Sequence, residues 1–371
     1  MIPVFEPVIS EDEIEEVVAA LRRGEISGSF GETLPAFEQG FAEYVGCKYG
    51  VAVNSGSSAL QLAVAAAGIG RGDEVLVSAS TNIASALAAY HNGAVTVPVD
   101  SEPVTWNMDV DLLEELISPR TKAIMPVHLY GHPVDMDAVM EIAAKHNLVV
   151  IEDCAESHGA TVRGRMTGSF GHMACFSFYS NKVITTGEGG MITTNDPALA
   201  ERLRSLRNLG FGEPRFYHEI PAFNFRMPGF VAALGLAQFR KIDKIIDEKR
   251  RVAQTYNRLL ADVPGLQTPA ELDWAKNVYW MYAITIDPEK FGATRDELAT
   301  SLWENKIQTR TFFCPMNQQP FLRAQEGYRD LPCPVADRIW ETGLYLPSTW
   351  TLDGATIGMI CEKIRDARNG N

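Results

Sequence analysis

VVIEDCAESHGA (residues 149–160) and CFSFYSNKVITTGEGGMITT (residues 175–194) decide how this chain is read. In the first, three β-branched residues run straight into Glu152, Asp153 and Glu156. In the second, an apolar, aromatic strand leads to Lys182, and a turn containing Gly187, Gly189 and Gly190 follows. The run Val149–Ile151 is apolar on two faces, the mark of a strand buried in the middle of a sheet. Similar runs lie outward along the chain at Val51–Val53, Val75–Val77, Val95–Val99 and Ala123–Val127. They alternate with helical patterns of 10–15 residues, which predicts an α/β fold with a mainly parallel sheet between helices. In such sheets ligands sit beyond the carboxyl ends of the strands, where Asp153 and Lys182 fall.

Ser10 is placed to cap a helix over Glu11–Arg23, and Thr33–Val45 reads as a second amphipathic helix. The texture changes after about residue 235. KIDKIIDEKRRVAQTYNRLLADV (241–263) reads as a long charged helix, VYWMYAITI (278–286) as a strand and TRDELATSLWENK (294–306) as a capped helix. The expected division is a large α/β domain over 1–240 and a smaller α+β domain over 241–371.

The 371 residues carry 33 Lys and Arg against 47 Asp and Glu, a net charge of −14. That field disfavours nucleic acid and anionic membrane surfaces as partners. The acidic start MIPVFEPVISEDEIEE lacks the basic and apolar regions of a signal peptide. None of the six cysteines stands at zinc-knuckle or redox-pair spacing, and Cys154 and Cys175 read as small buried residues. A cytoplasmic protein without a metal is expected. Gly68, Gly70 and Gly72 do not have dinucleotide-binding spacing, and there is no Walker loop, zinc helix or nucleophile elbow.

NSGSSALQLA (54–63) follows a strand and opens a helix. Gly56, Ser57 and Ser58 there make either an anion cradle or a plain serine cap. Asp153 either meets a ligand or caps a turn. Lys182 is either a reactive amine or a lysine snorkelling from a strand end. Together, an anion cradle, a strand-end carboxylate and a strand-end lysine suit pyridoxal 5'-phosphate (PLP), which needs a phosphate cup, an acid for its ring nitrogen and a Schiff-base amine.

Six ordered blocks then resemble the DegT/DnrJ/StrS sugar aminotransferases, fold-type I PLP enzymes. They are FAEYVGCKYGVAVNSGSSAL (41–60), GDEVLVSAS (72–80), VIEDCAESHGA (150–160), SFYSNKVITTGEGGMITT (177–194), FNFRMPGFVAALGLAQ (223–238) and TRTFFCPMNQQP (309–320). The resemblance implies the aspartate aminotransferase-like fold, with a seven-stranded sheet in its large domain. It gives Lys182 the Schiff base and the proton transfer, and Asp153 the pyridine nitrogen. Glu156, where many relatives have Gln, falls near the phenolic oxygen. Gly56, Ser57 and Ser177 hold the phosphate, with Asn224 supplied by the other subunit of a homodimer that shares its active sites. His158 lies near the cofactor, while Arg226 and Arg310 are candidate contacts for an anionic sugar nucleotide.

Four residues at three places depart from the family pattern. Asn82 stands where relatives stack an aromatic ring on the cofactor, Pro228–Gly229 where they often have Thr-Asn, and Asn317 where His is frequent. The implied reaction moves an amino group from L-glutamate to a keto sugar, with the cofactor alternating between PLP and its aminated form (PMP). A nucleotide-linked 4-keto-6-deoxy sugar leads, with a keto-octulosonate type acid sugar as the rival. Sugar dehydration is disfavoured by Lys182, and a non-catalytic scaffold by the presence of both Lys182 and Asp153.

Overall fold

A computed structural model describes residues 1–368. Seven strands form the main sheet: β1 (Tyr49–Val53), β2 (Glu74–Ser78), β3 (Val95–Val99), β4 (Thr121–Met125), β5 (Val149–Asp153), β8 (Met173–Ser177) and β9 (Gly190–Thr194). Between β5 and β8 the short β6 (Thr161–Val162) and β7 (Arg165–Met166) leave the sheet and pair with β11 (Ala275–Lys276). The sheet order is β1-β9-β8-β5-β4-β2-β3. Its β8-β5-β4-β2-β3 portion is parallel, and β9 runs antiparallel to both neighbours. The expected mainly parallel seven-stranded sheet is therefore present.

Both faces are covered because successive strand residues point to opposite sides. Val51, Val53, Val75, Val77, Ile151 and Cys175 pack on one side with helices α3 (Gly56–Ala66) and α4 (Ala84–His91). On the other, Val150 and Ile124 meet the helix Met136–His146, while Phe176 meets α2 (Thr33–Val45). α1 spans Glu11–Arg22, and the Glu13 carboxylate accepts the Ser10 amide at 2.8 Å.

A second, antiparallel sheet has the order β10-β12-β14-β13: β10 (Leu266–Gln267), β12 (Tyr282–Ile286), β14 (Gly343–Leu346) and β13 (Arg310–Thr311). The long helix Ile242–Leu260 buries Val252, Tyr256 and Leu260 against it. The chain's start joins this half: Ile2 bridges to Ile307, and the Val4 carbonyl accepts the Ser348 amide. The expected strand over 278–286 is a strand only from Tyr282. Before it, Tyr279 is left-handed at φ 49°, and the Val278 amide donates across to the Gly131 carbonyl. No helix among the described residues is long and apolar enough to cross a membrane.

Candidate active site

Sheet register assembles the site. Asp153 lies opposite Cys175, Ser177 opposite Gly190, and Val53 opposite the same Gly190. Asp153, Ser177 and the turn after Val53 therefore share one edge. Gly190 permits the close approach, since a Cβ there would meet the Ser55 carbonyl oxygen.

Ser55 caps α3, its Oγ accepting the Ser58 amide at 3.0 Å. A helix leaves its first amides unused, here those of Gly56 and Ser57. A Cβ on Gly56 would lie 2.6 Å from Ser177 Cβ and 2.9 Å from its Oγ. Only glycine lets this helix start sit against the Ser177 hydroxyl. Free amides, hydroxyls and the positive end of the helix together favour an anion. The serine-cap reading holds at Ser55, and because Ser55 does the capping the Gly56 and Ser57 amides stay free to meet an anion.

A cavity of about 340 Å³ opens over this edge. Its lining includes Gly56, Ser57, Ser177, Asp153, Glu156 and Lys182. Asp153 is buried; one oxygen accepts Ser85 Oγ at 2.7 Å and the other the Ala155 amide at 3.0 Å. Burial pushes its carboxyl up, while Ser85, the Ala155 amide and Lys182 oppose that. Glu156 is also buried; one oxygen accepts the Tyr130 amide at 2.8 Å. The other lies 3.9 Å from Lys182 Nζ. Burial pushes Glu156 up to about 7, against the pull of Lys182. Burial likewise pushes the Lys182 amine down, against Glu156 and Asp153. Burial thus favours the neutral form of each member of the pair, while the charge of each favours the charged form of the other, the kind of balance found at acid–base sites.

Glu152 belongs elsewhere. It points away from the cavity and accepts the amides of Gly168, Phe170 and Gly171 at 2.7–2.8 Å. With His128 and Cys154 it forms a buried cluster whose donor atoms lie close together. The three amides, with His128 Nε2 at 3.3 Å from Oε2, engage its two oxygens, so it anchors the loop before β8.

Of the remaining expected residues, Arg310 lines the cavity, and Asn82 stands exposed at its mouth, its Oδ1 accepting the Ala84 amide. His158 lies outside the lining, buried among Phe41, Phe176 and Phe178 with neither ring nitrogen hydrogen-bonded. Burial pushes it down to about 3, so it stays neutral. Asn317 is buried and donates to Asp337, away from the lining. Asn224 is exposed, and Arg226 donates to Asn208. Neither touches this chain's cavity.

Sequence reasoning missed the aromatic wall formed by Tyr179, Trp280, Phe313 and Tyr345. Phe313 lay in view inside the TRTFFCPMNQQP block. Trp280 and Tyr345 carried no local signal.

The cradle that a Cβ would fill, the buried carboxylate and the buried lysine amine fit PLP's phosphate, ring nitrogen and aldehyde. The fold and site are those of a PLP-dependent aminotransferase. The chain belongs to the DegT/DnrJ/EryC1/StrS aminotransferase family, which it matches over residues 7–365. It is 45% identical to GDP-perosamine synthase of Caulobacter vibrioides over 97% of this chain and 96% of that one. It is 39% identical to GDP-perosamine synthase of Escherichia coli O157:H7 over 98% of each. Among solved structures, Streptomyces venezuelae DesV in complex with a ketimine intermediate superposes with a TM-score of 0.89 at 36% identity, covering 96% and 94% of the two chains. The chain is accordingly a PLP-dependent sugar aminotransferase.

Proposed function

We propose that the chain transfers an amino group from L-glutamate to a nucleotide-linked 4-keto-6-deoxy sugar, giving an amino sugar for a surface polysaccharide. The observation that carries the amino transfer is the Lys182 amine, 3.9 Å from the Glu156 carboxylate on the edge that also bears Asp153 and the Gly56 cradle. The relatives named GDP-perosamine synthase support the sugar class.

When bound, PLP supplies the electron sink for the carbanion left by the donor's lost proton. In this reading Lys182 Nζ, once free, takes that α proton and returns it one atom away, a transfer of the kind that contributes about 10²–10⁴-fold. Asp153 holds the ring-nitrogen proton, and the positive charge there reverses the upward push that burial gives its carboxyl. The Gly56 and Ser57 amides and Ser177 Oγ hold the phosphate. Glu156 faces the phenolic oxygen. Arg310 meets the anionic sugar nucleotide.

The cavity's share of this chain holds three carboxylates, Asp153, Glu156 and Glu188, against two cations, Lys182 and Arg310. An anionic nucleotide needs more positive charge than that. A homodimer whose second copy brings Arg226 to the cavity adds a cation, with Asn224 beside it as a neutral donor, and both residues lie outside this chain's own cavity.

The test is a panel of nucleotide-linked keto sugars, with an acid sugar included, incubated with glutamate while 2-oxoglutarate release is followed. A 4-keto-6-deoxy member should release it, and Lys182→Ala should abolish both release and the yellow colour. Release with the acid sugar alone, or normal turnover by Lys182→Ala, overturns the reading.

A further inference from the structure

Lys182 Nζ lies 3.8 Å from the centre of the Trp280 ring. It also lies 3.9 Å from Glu156 Oε1. An ammonium over an indole face is attracted by the ring's quadrupole, more strongly where water is excluded. We infer that Trp280 is a positioning residue that docks the Lys182 amine whenever it is free, opposite Glu156. The inference rests on the aminotransferase reading, in which that amine is released and recaptured every cycle.

A closed ring of contacts holds the dock. Trp280 Nε1 donates to the Asn181 carbonyl at 2.7 Å, one residue before the lysine. The indole stacks on Tyr130 with an interplanar angle of 11°. The Tyr130 amide donates to Glu156, and Glu156 faces Lys182, which closes the loop. One left-handed residue sits in it, Tyr130 at φ 52°, and a second, Tyr279 at φ 49°, immediately precedes Trp280. Such strain persists only where surrounding structure over-determines it, and it concentrates at functional sites. The two turns touch backbone to backbone: a Cβ on Gly131 would lie 2.7 Å from the amide nitrogens of both Tyr279 and Trp280. The second half of the chain thereby fixes the height of the indole over the reactive amine.

A lysine stem has four rotatable bonds, and ordering it has an entropic cost. A dock already in place removes that search between the two half-reactions. The ring also favours the ammonium that burial disfavours. The other titratable groups facing this amine or its cavity are Asp153, Glu156, His158, Tyr179, Glu188, Arg310 and Tyr345. All of them are retained in the variants that test the dock.

The probe is acetic anhydride, used on cofactor-free protein across a range of pH. Acetylation of Lys182 is read by peptide mass spectrometry against exposed Lys122 in the same sample. In Trp280→Leu the pH midpoint for Lys182 should fall by about one, with Lys122 unmoved; Trp280→Phe should fall by less. The same variants should slow both half-reactions with little change in KM. A Lys182 midpoint in folded Trp280→Leu equal to that of the parent protein overturns the dock. If Trp280→Leu fails to fold, an unshifted midpoint together with parental half-reaction rates in Trp280→Phe overturns it. Failure of the aminotransferase reading looks different: the parent protein would stay colourless with PLP whatever the midpoint.

Discussion

Gly56→Ala separates the cofactor cradle from the stability of the fold. The added methyl lies 2.6 Å from Ser177 Cβ and 2.9 Å from its Oγ, with Ser177 Cα at 3.2 Å. Carbon pairs settle near 3.5–4.0 Å, so α3 and β8 must part by roughly 1 Å at this point. Overpacking of this kind costs about 1–3 kcal/mol, and alanine's better helix propensity returns up to ~1 kcal/mol. Net destabilisation of ~0–3 kcal/mol should lower the thermal midpoint by only a few degrees. The cradle suffers more. A shift of roughly 1 Å breaks at least one hydrogen bond from Gly56, Ser57 or Ser177 to the phosphate, and bonds to charged groups are worth about 1.5–3 kcal/mol. PLP affinity should therefore fall about ten- to hundredfold, measured by titrating cofactor-free protein and following absorbance, beside a thermal melt without cofactor. Affinity within about twofold of the parent protein, in a variant that melts normally, would refute the placement of the phosphate.

Three further outcomes are expected. Glu152→Ala strands the amides of Gly168, Phe170 and Gly171 and should cost on the order of 3–5 kcal/mol in chemical denaturation, whereas a loss under ~1 kcal/mol would show the anchor to be dispensable. Lys249 is buried, donates to the Ser348 carbonyl at 3.0 Å and is pushed by burial down to about 7. Its folded value lies below the unfolded one, so the folded state binds fewer protons and stability should rise from about pH 7 to pH 10. Denaturation of Lys249→Met should lose that rise, which amounts to a few kcal/mol, and an identical pH profile would sink the argument. Finally, mixing inactive Lys182→Ala with an inactive Asn224→Ala under subunit exchange should restore about a quarter of the activity if each site draws on two copies; no recovery after exchange is verified by mass would mean that Asn224 serves its own chain.

What the sequence disclosed follows from how locally each feature is encoded. Strands buried on both faces announce themselves as apolar runs and amphipathic helices as a periodic apolar stripe, so the strand Val95–Val99 and the helix Thr33–Val45 appear with the bounds expected of them. Asp153 and Lys182 were legible because Asp153 closes β5 and Lys182 lies in the turn beyond the end of β8, at the strand ends where α/β sheets bind ligands. Glu152 and Asp153 are chain neighbours, yet strand alternation sends one to a structural loop and the other to the cavity. No composition rule distinguishes them; only the register of β5 does. The segment 278–286 misled because β-branched and aromatic residues read as strand, while the tertiary contact at Gly131 imposes a left-handed turn at Tyr279.

That turn explains why the aromatic wall was invisible beforehand. Trp280, Phe313 and Tyr345 belong to three separate segments of the second half. They converge only after Gly131 has let the 129–131 turn pack against the 279–280 backbone. The wall is therefore a product of how the two sheets dock, whereas the lysine and carboxylate are products of one sheet. Asn82 bears on this division. An aromatic ring at a strand end is local and legible, and this chain has a small polar residue there. Its aromatic surface comes instead largely from the C-terminal half, so changes at Gly131 should alter substrate handling while leaving the Asp153 and Gly56 contacts in place.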